Sequence, residues 1–263
     1  MSDLTFGSLF AGIGGFDLGF ERAGMTCRWQ VEIDDYANRV LAKHWPDVAR
    51  YRDIRSVGWH NLSPVDVICG GFPCQDVSRN GTQAGIYGRR SGLFAEAIRV
   101  VGELRPRCVV LENVAGLLDG GLGEVLASLS AIGFDAEWDV VPACGVGADQ
   151  IRERVFILAY PECGWMEGRW RASSAKTSCI KRAGIREFES PGGTIKADAT
   201  LSRIAERETH WERESGIHRV ANGIPSRVDR LRGLGNAVVP QVAEFIGRQI
   251  VEALNVEVDN HEP

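Results

Sequence analysis

Three absences narrow the reading of this 263-residue chain. No stretch approaches the roughly 18 consecutive apolar residues of a membrane-spanning helix, so no membrane partner is expected. Met1-Ser2-Asp3-Leu4 lacks the basic-then-apolar order of a secretory leader, and the expected location is the cytoplasm. No C-x-x-C pair occurs among the seven cysteines at positions 27, 69, 74, 108, 144, 163 and 179. Their odd number and scatter suggest neither a disulfide framework nor a four-thiolate zinc site, so the thiols are read as reduced. The histidines leave only a mixed Cys/His cluster between 163 and 218 conceivable, and no metal is expected. Internal repeats and low-complexity tracts are also missing. What remains is 44% hydrophobic and 25% charged, enough for a large core and a small additional region.

A net charge of -5 would by itself discourage a polyanionic partner, but the charge is uneven. Residues 163–232 hold 14 Lys and Arg against 9 Asp and Glu, a local +5 on a body of -10. That segment reads either as a solvated surface or as a phosphate-facing patch, and charge alone does not choose.

Short β-rich apolar runs alternate with helical patterns over the first 160 residues, which predicts an α/β fold with a Rossmann-like wound, mixed sheet. Strands are expected at Leu4–Phe10, Cys27–Glu32, Val65–Cys69, Val109–Glu112, Glu137–Val141 and Val155–Ala159. Helical spacing runs through Leu93, Phe94, Ala97, Ile98, Val101 and Leu104, and again through Val125, Leu126, Leu129 and Ile132 before Gly133. Residues 1–161 thus read as one α/β domain. Residues 162–224, rich in Arg, Glu, Ser, Thr and Gly, read as an insertion, and 225–263 as a segment returning to the first domain. Pro240 suits the first turn of a last helix whose Val242, Phe245, Ile246, Ile250 and Leu254 share a face, with fraying from about Val256.

Phe10-Ala11-Gly12-Ile13-Gly14-Gly15-Phe16 follows the first strand and opens a helix, so the backbone there can approach a ligand. A dinucleotide fingerprint would want glycine where Asp17 stands, and that carboxylate would repel a pyrophosphate. Glu32, ending the second strand, is placed to accept both ribose hydroxyls. Asp53 and Ile54 are placed to receive an adenine amino group and cover its ring. Together these favour a nucleoside with a positive group, such as S-adenosylmethionine, over a turn built only for packing.

Cys74, in Gly70-Gly71-Phe72-Pro73-Cys74-Gln75, lies past a buried strand on a shaped loop where a thiolate can reach an electrophile, although a cysteine can equally be inert core. The stretch from Ser78 through Arg89 and Arg90 combines glycines with arginines, as a lid meeting phosphates or as a plain loop. Glu112 ends another strand, either solvated or facing the same edge. Gln150, Arg152 and Arg154 share one strand face by the period of two, aimed at an anion or carbonyl or held in a structural ion-pair cluster.

In order, FAGIGGF, Glu32, PCQ, ENV, QIRERVF and GNAVVP make the chain resemble the DNA (cytosine-5)-methyltransferases of bacteria and phages, over residues 4–160 and about 225–254. The resemblance implies the S-adenosylmethionine-dependent methyltransferase fold and that cofactor, with S-adenosylhomocysteine as product. It implies cofactor contacts at Phe10, Gly12, Gly14, Glu32, Ile33, Asp53, Ile54, Pro73 and Leu93, and at Asn236 and Val238 of the last motif. Cys74 matches the nucleophile, Glu112 the carboxyl that holds the base, and Arg152 and Arg154 the arginines of the catalytic face. Gln75, Ser78, Arg89, Arg90 and Gln150 would meet DNA. The implied partners are double-stranded DNA with a short target site and a cognate restriction endonuclease, the enzyme acting as a monomer. The insertion at the position of the family's recognition region is short, and the motif after it is reduced to Arg227-Val228-Asp229-Arg230-Leu231-Arg232. The alternatives are cytosine methylation in structured RNA, a non-catalytic DNA-binding relative, and a nicotinamide oxidoreductase, the last disfavoured by Asp17 and the cysteine loop.

Overall fold

The fold follows from strands too apolar to face water on either side. The computed structural model describes residues 4–73, 92–161 and 226–259. Seven strands form one sheet: β1 (Thr5–Leu9), β2 (Thr26–Val31), β3 (Ala49–Tyr51), β4 (Val67–Gly71), β5 (Cys108–Val114), β6 (Phe134–Pro142) and β7 (Glu153–Pro161). Their order is β3-β2-β1-β4-β5-β7-β6. The first five run parallel, and β7 lies antiparallel to both β5 and β6. Chain direction from β1 is outward to β2 and β3 on one side and to β4 and β5 on the other. This switch point opens a crevice at the carboxyl ends of β1 and β4, where wound sheets bind ligands.

Helices cover both faces, as parallel strands require. Consecutive residues of β5 split between the two layers: Cys108 and Val110 join α1 (Gly15–Arg22) and the last helix, α6 (Pro240–Asp259), whereas Val109 and Leu111 join α3 (Gly92–Leu104) and α4 (Leu122–Ala131). Helix α2 (Asp35–His44) connects β2 to β3, and α5 (Arg227–Asn236) precedes α6. Gly19 lets α1 and α6 cross closely, since a Cβ there would lie 2.4 Å from the Ala243 Cβ and 2.6 Å from the Pro240 carbonyl. No helix among the described residues is long and apolar enough to cross a membrane.

The six expected strands are present with shifted ends, and α3, α4 and α6 form where the spacing places them. The structure adds one strand, lengthens one helix and corrects two expectations. Strand β3 was not anticipated, because three half-exposed or exposed residues leave no periodicity to read. Helix α6 extends to Asp259, past Val256. β7 begins at Glu153, so Gln150, in an exposed bend, and Arg152 both precede it, and only Arg154 of the three lies on the strand. Cys27, Cys69 and Cys108 are free and buried, but Cys144 is disulfide-bonded, which no C-x-x-C spacing announces.

Candidate active site

A cavity of about 410 Å³ opens at the switch point, with the β1–α1 turn, the ends of β2, β4 and β5, and α5 as its walls. The turn is strained where it meets the cavity. Phe10 has a φ of 52°, a left-handed conformation uncommon for a non-glycine residue, and Gly12 follows at 57°. Glu32 fixes this shape from across the cavity. Its Oε2 accepts from the Gly12 N–H at 2.7 Å and its Oε1 from the Asp34 N–H at 2.7 Å. An ionised carboxylate offers about four acceptor positions, so two remain for ligand hydroxyls.

Phe10, Gly12, Glu32, Ile33, Asp53, Ile54, Pro73, Leu93 and Asn236 all line this cavity. Gly14 and Val238 are not among the lining residues and are closely packed behind them. Gly14, at a φ of 88°, has the Trp45 ring where a Cβ would come within 2.4 Å. The carbonyl oxygen of the buried Val238 would sit 2.2 Å from a Cβ on Gly15, so the last motif is pressed against the first helix. Asp53 reaches the cavity, but its carboxylate is gripped by the Arg55 guanidinium at 2.7 and 2.9 Å and held below its ordinary range by those hydrogen bonds.

Asp17 does not face the ligand, contrary to the argument made from its charge. It lies fully buried beneath the turn, its carboxylate accepting from Gln30 Nε2 at 2.8 Å, Ser8 Oγ at 3.2 Å and Cys27 Sγ at 3.5 Å. The third residue of a helix can point into the core as readily as toward the mouth, and composition does not distinguish the two.

At the other end of the cavity stands Glu112, buried on β5, with Arg154 Nε 3.0 Å from its Oε1. Removal from water raises the Glu112 carboxyl to about 7, against the opposing pull of Arg154 and Arg152. Gly71 leaves the space this carboxyl needs, since a Cβ there would stand 2.8 Å from Oε2. Arg152 faces the same cavity but spends Nη2 on the carbonyls of Gly235, at 2.6 Å, and Ala237, at 3.0 Å.

Asn113, the middle residue of ENV, carries no role from the sequence alone. It is buried, and its Nδ2 donates to the Phe72 carbonyl at 3.2 Å, tying β5 to the residues just before Pro73. Phe72, Tyr36, Asp34 and Arg232 also line the cavity without having been singled out. Cys74, Gln75, Ser78, Arg89 and Arg90 lie outside the described residues, as does most of the basic segment. Burial pushes the thiols of Cys27, Cys69 and Cys108 well up, so none of these three offers a thiolate near neutrality.

Comparison with known proteins places this geometry. The type II methyltransferase M.BsuFI of Bacillus subtilis is 33% identical over 166 residues, 61% of this chain and 40% of its own length. M.AluI of Cellulosimicrobium cellulans is 33% identical over 249 residues, 86% of this chain and 47% of its own length. The chain therefore spans less than half the length of these relatives. Among solved structures, the S. pombe Dnmt2 methyltransferase superposes over 96% of this chain and 99% of its own with a TM-score of 0.62, at 17% identity, which speaks for the fold. The family model for C-5 cytosine-specific DNA methylases matches residues 4–222, and the chain belongs to that family.

Proposed function

We propose that this protein transfers a methyl group from S-adenosylmethionine to carbon 5 of cytosine in duplex DNA, on a base flipped into the Glu112 end of the cavity. One observation carries the reading: a buried carboxyl that titrates near neutrality, paired with a guanidinium, shares a cavity with a strand-end acceptor suited to a ribose. The donor set fits an adenosine ligand. Glu32 retains acceptor capacity for two hydroxyls, and Ile33, Ile54, Phe72 and Leu93 offer apolar surface to a ring. When bound, S-adenosylmethionine supplies an electrophilic methyl group and leaves as S-adenosylhomocysteine.

The chain's own residues make carbon 5 able to receive that group. Carbon 5 of cytosine is a poor nucleophile. Addition of the Cys74 thiolate to carbon 6 pushes an electron pair toward carbon 5 and creates an enamine. Glu112, carrying a proton near neutrality, donates it toward ring nitrogen 3 as charge accumulates there. Arg154 holds both the carboxyl and the exocyclic oxygen, while Asn113 keeps the approach to Pro73 in place. After methylation, loss of the carbon 5 proton restores the ring double bond and expels the sulfur. Extruding the base costs a few kcal/mol, which contacts from Gln75, Ser78, Arg89, Arg90, Gln150 and the basic segment would offset.

The type II names of the relatives support a modification role at a short site, with a cognate nuclease as the companion. Tritium transfer from labelled cofactor to duplex DNA and to tRNA tests the substrate, with DNA expected to accept label. Cys74→Ser is expected to abolish transfer and leave cofactor binding largely unchanged. Full activity in that variant, or a covalent 5-fluorocytosine complex forming undiminished in Cys74→Ala, would overturn the mechanism.

A further inference from the structure

Helix α5 lines one wall of the cavity although none of its residues is buried. It is seated at two ends. Toward the catalytic face, Arg152 donates to the carbonyls of Gly235 and Ala237. Toward the nucleoside end, Arg232 Nη2 lies 2.6 Å from Asp34 Oδ2, joining residues 198 positions apart, with Asp229 Oδ1 at 3.7 Å behind it. Gly233 brings the helix down onto the rim, where a Cβ would approach Ile13 Cγ2 to 3.2 Å and Tyr36 Cε1 to 3.5 Å.

Asp34 is held in place independently of the arginine. Its Oδ1 accepts from the Ala37 N–H at 2.9 Å, capping α2, and its own N–H donates to Glu32 Oε1. The residue that receives Arg232 is therefore tied through its backbone N–H to Glu32, which shapes the nucleoside end. The ordering cost that weakens most surface ion pairs falls mainly on one partner. Both side chains still touch water, with 59% and 33% exposure, so the pair can part without unfolding anything.

We infer that Arg232 and Asp34 form a latch that seats α5 across the nucleoside end of the cavity, so that a ligand enters or leaves only when the pair opens. This rests on the reading of the cavity as an adenosine site. Arg232 and Asp34 are positioning residues for that site, acting through α5 rather than on the reacting atoms. A latch differs from an ordinary ligand contact in what its loss does. Losing a contact speeds dissociation alone, whereas losing a latch speeds association and dissociation together.

The test measures both rate constants for S-adenosylhomocysteine on the full chain and on Arg232→Gln, Asp34→Asn and the double variant. Asparagine keeps the oxygen that caps α2 while removing the charge. Each single variant is expected to raise both rates by about three- to fivefold, with Kd moving less than twofold, in keeping with the modest strength of exposed pairs. The double variant should match the singles, and wild type should approach them at about 0.5 M salt, where screening is short-ranged. Unchanged rates, a rise in dissociation alone, or additive effects in the double variant would overturn the latch. Failure of the wild-type chain to bind S-adenosylhomocysteine would remove the cofactor reading and the latch with it. Binding with unaltered variant rates would remove the latch only.

Discussion

Two buried carboxylates, one on helix α1 and one on strand β5, have opposite surroundings. Asp17, under the β1–α1 turn, is raised by burial to about 6 and meets the neutral donors Gln30, Ser8 and Cys27. Glu112, at the end of β5, is raised by burial to about 7 and meets the charged Arg154. Perturbed titration marks both, yet only Glu112 opens onto the cavity. A shifted carboxyl is thus a functional candidate only when a reactant can reach it. The Asp17 network instead joins β1, α1 and β2, and continues to β3 through Gln30 Oε1, which accepts from Arg50 Nε at 3.2 Å. It braces the turn from below while Glu32 braces it from above.

The comparison breaks most sharply if the proton of Glu112 does no chemistry. Glu112→Gln keeps the shape and hydrogen-bonding capacity of the side chain while removing its acid function. Methyl transfer is expected to fall by about 10²- to 10⁴-fold, the range for a lost general acid, with S-adenosylhomocysteine affinity little changed. Single-turnover transfer rates measure this, and a loss below tenfold would demote Glu112 to a packing residue. In wild type the single-turnover rate should also decline as pH rises through about 7, because the proton is then lost. Glu112→Gln should not show that decline.

Asp17 should behave in the reverse way, with large effects on stability and small ones on transfer. Asp17→Leu leaves the Gln30 and Ser8 donors without their acceptor in the core, at about 1–3 kcal/mol each. Asp17→Asn is the informative variant. Because the folded carboxyl binds its proton more tightly than the unfolded one, the acid contributes stability that is complete below about pH 4. That contribution is lost as pH climbs to about 6. Denaturant melts from pH 4 to 7 should therefore show wild type losing on the order of 2–3 kcal/mol relative to Asp17→Asn over this window. Parallel curves would mean that the carboxyl is ionised throughout.

The two carboxylates also show what a sequence discloses. The sheet was legible because β4 and β5 are apolar on both faces, and such runs bounded by glycine and proline leave few other readings. The place of Glu32 beside the cavity was legible, because it stands at a strand end next to a glycine turn. Asp17 was misread, since position in a helix's first turn does not say which way the side chain points. Gly14 and Val238 stand behind the cavity wall, against the Trp45 ring and the backbone of Gly15, and those contacts across the fold have no local pattern. Asp34 and Arg232 were missed because their pairing depends on how the last segment returns, and no local pattern encodes a contact across 198 positions.

The smallest expected effect probes the weakest donor to Asp17. Cys27 Sγ lies 3.5 Å from Oδ1, and a thiol is a poor donor, so it does little to favour the ionised carboxylate. Cys27→Ser replaces it with a hydroxyl, a stronger donor that stabilises the charged form. The Asp17 window should then move toward lower pH by less than about one unit, since one hydrogen bond is added against an unchanged burial penalty. Serine will also lower overall stability somewhat, because a polar group replaces sulfur among apolar neighbours. The measured quantity is therefore the pH midpoint of the stability change, which that uniform cost does not move. A midpoint moving upward would mean that the hydroxyl turns away from Asp17 and that the carboxyl is governed by burial alone.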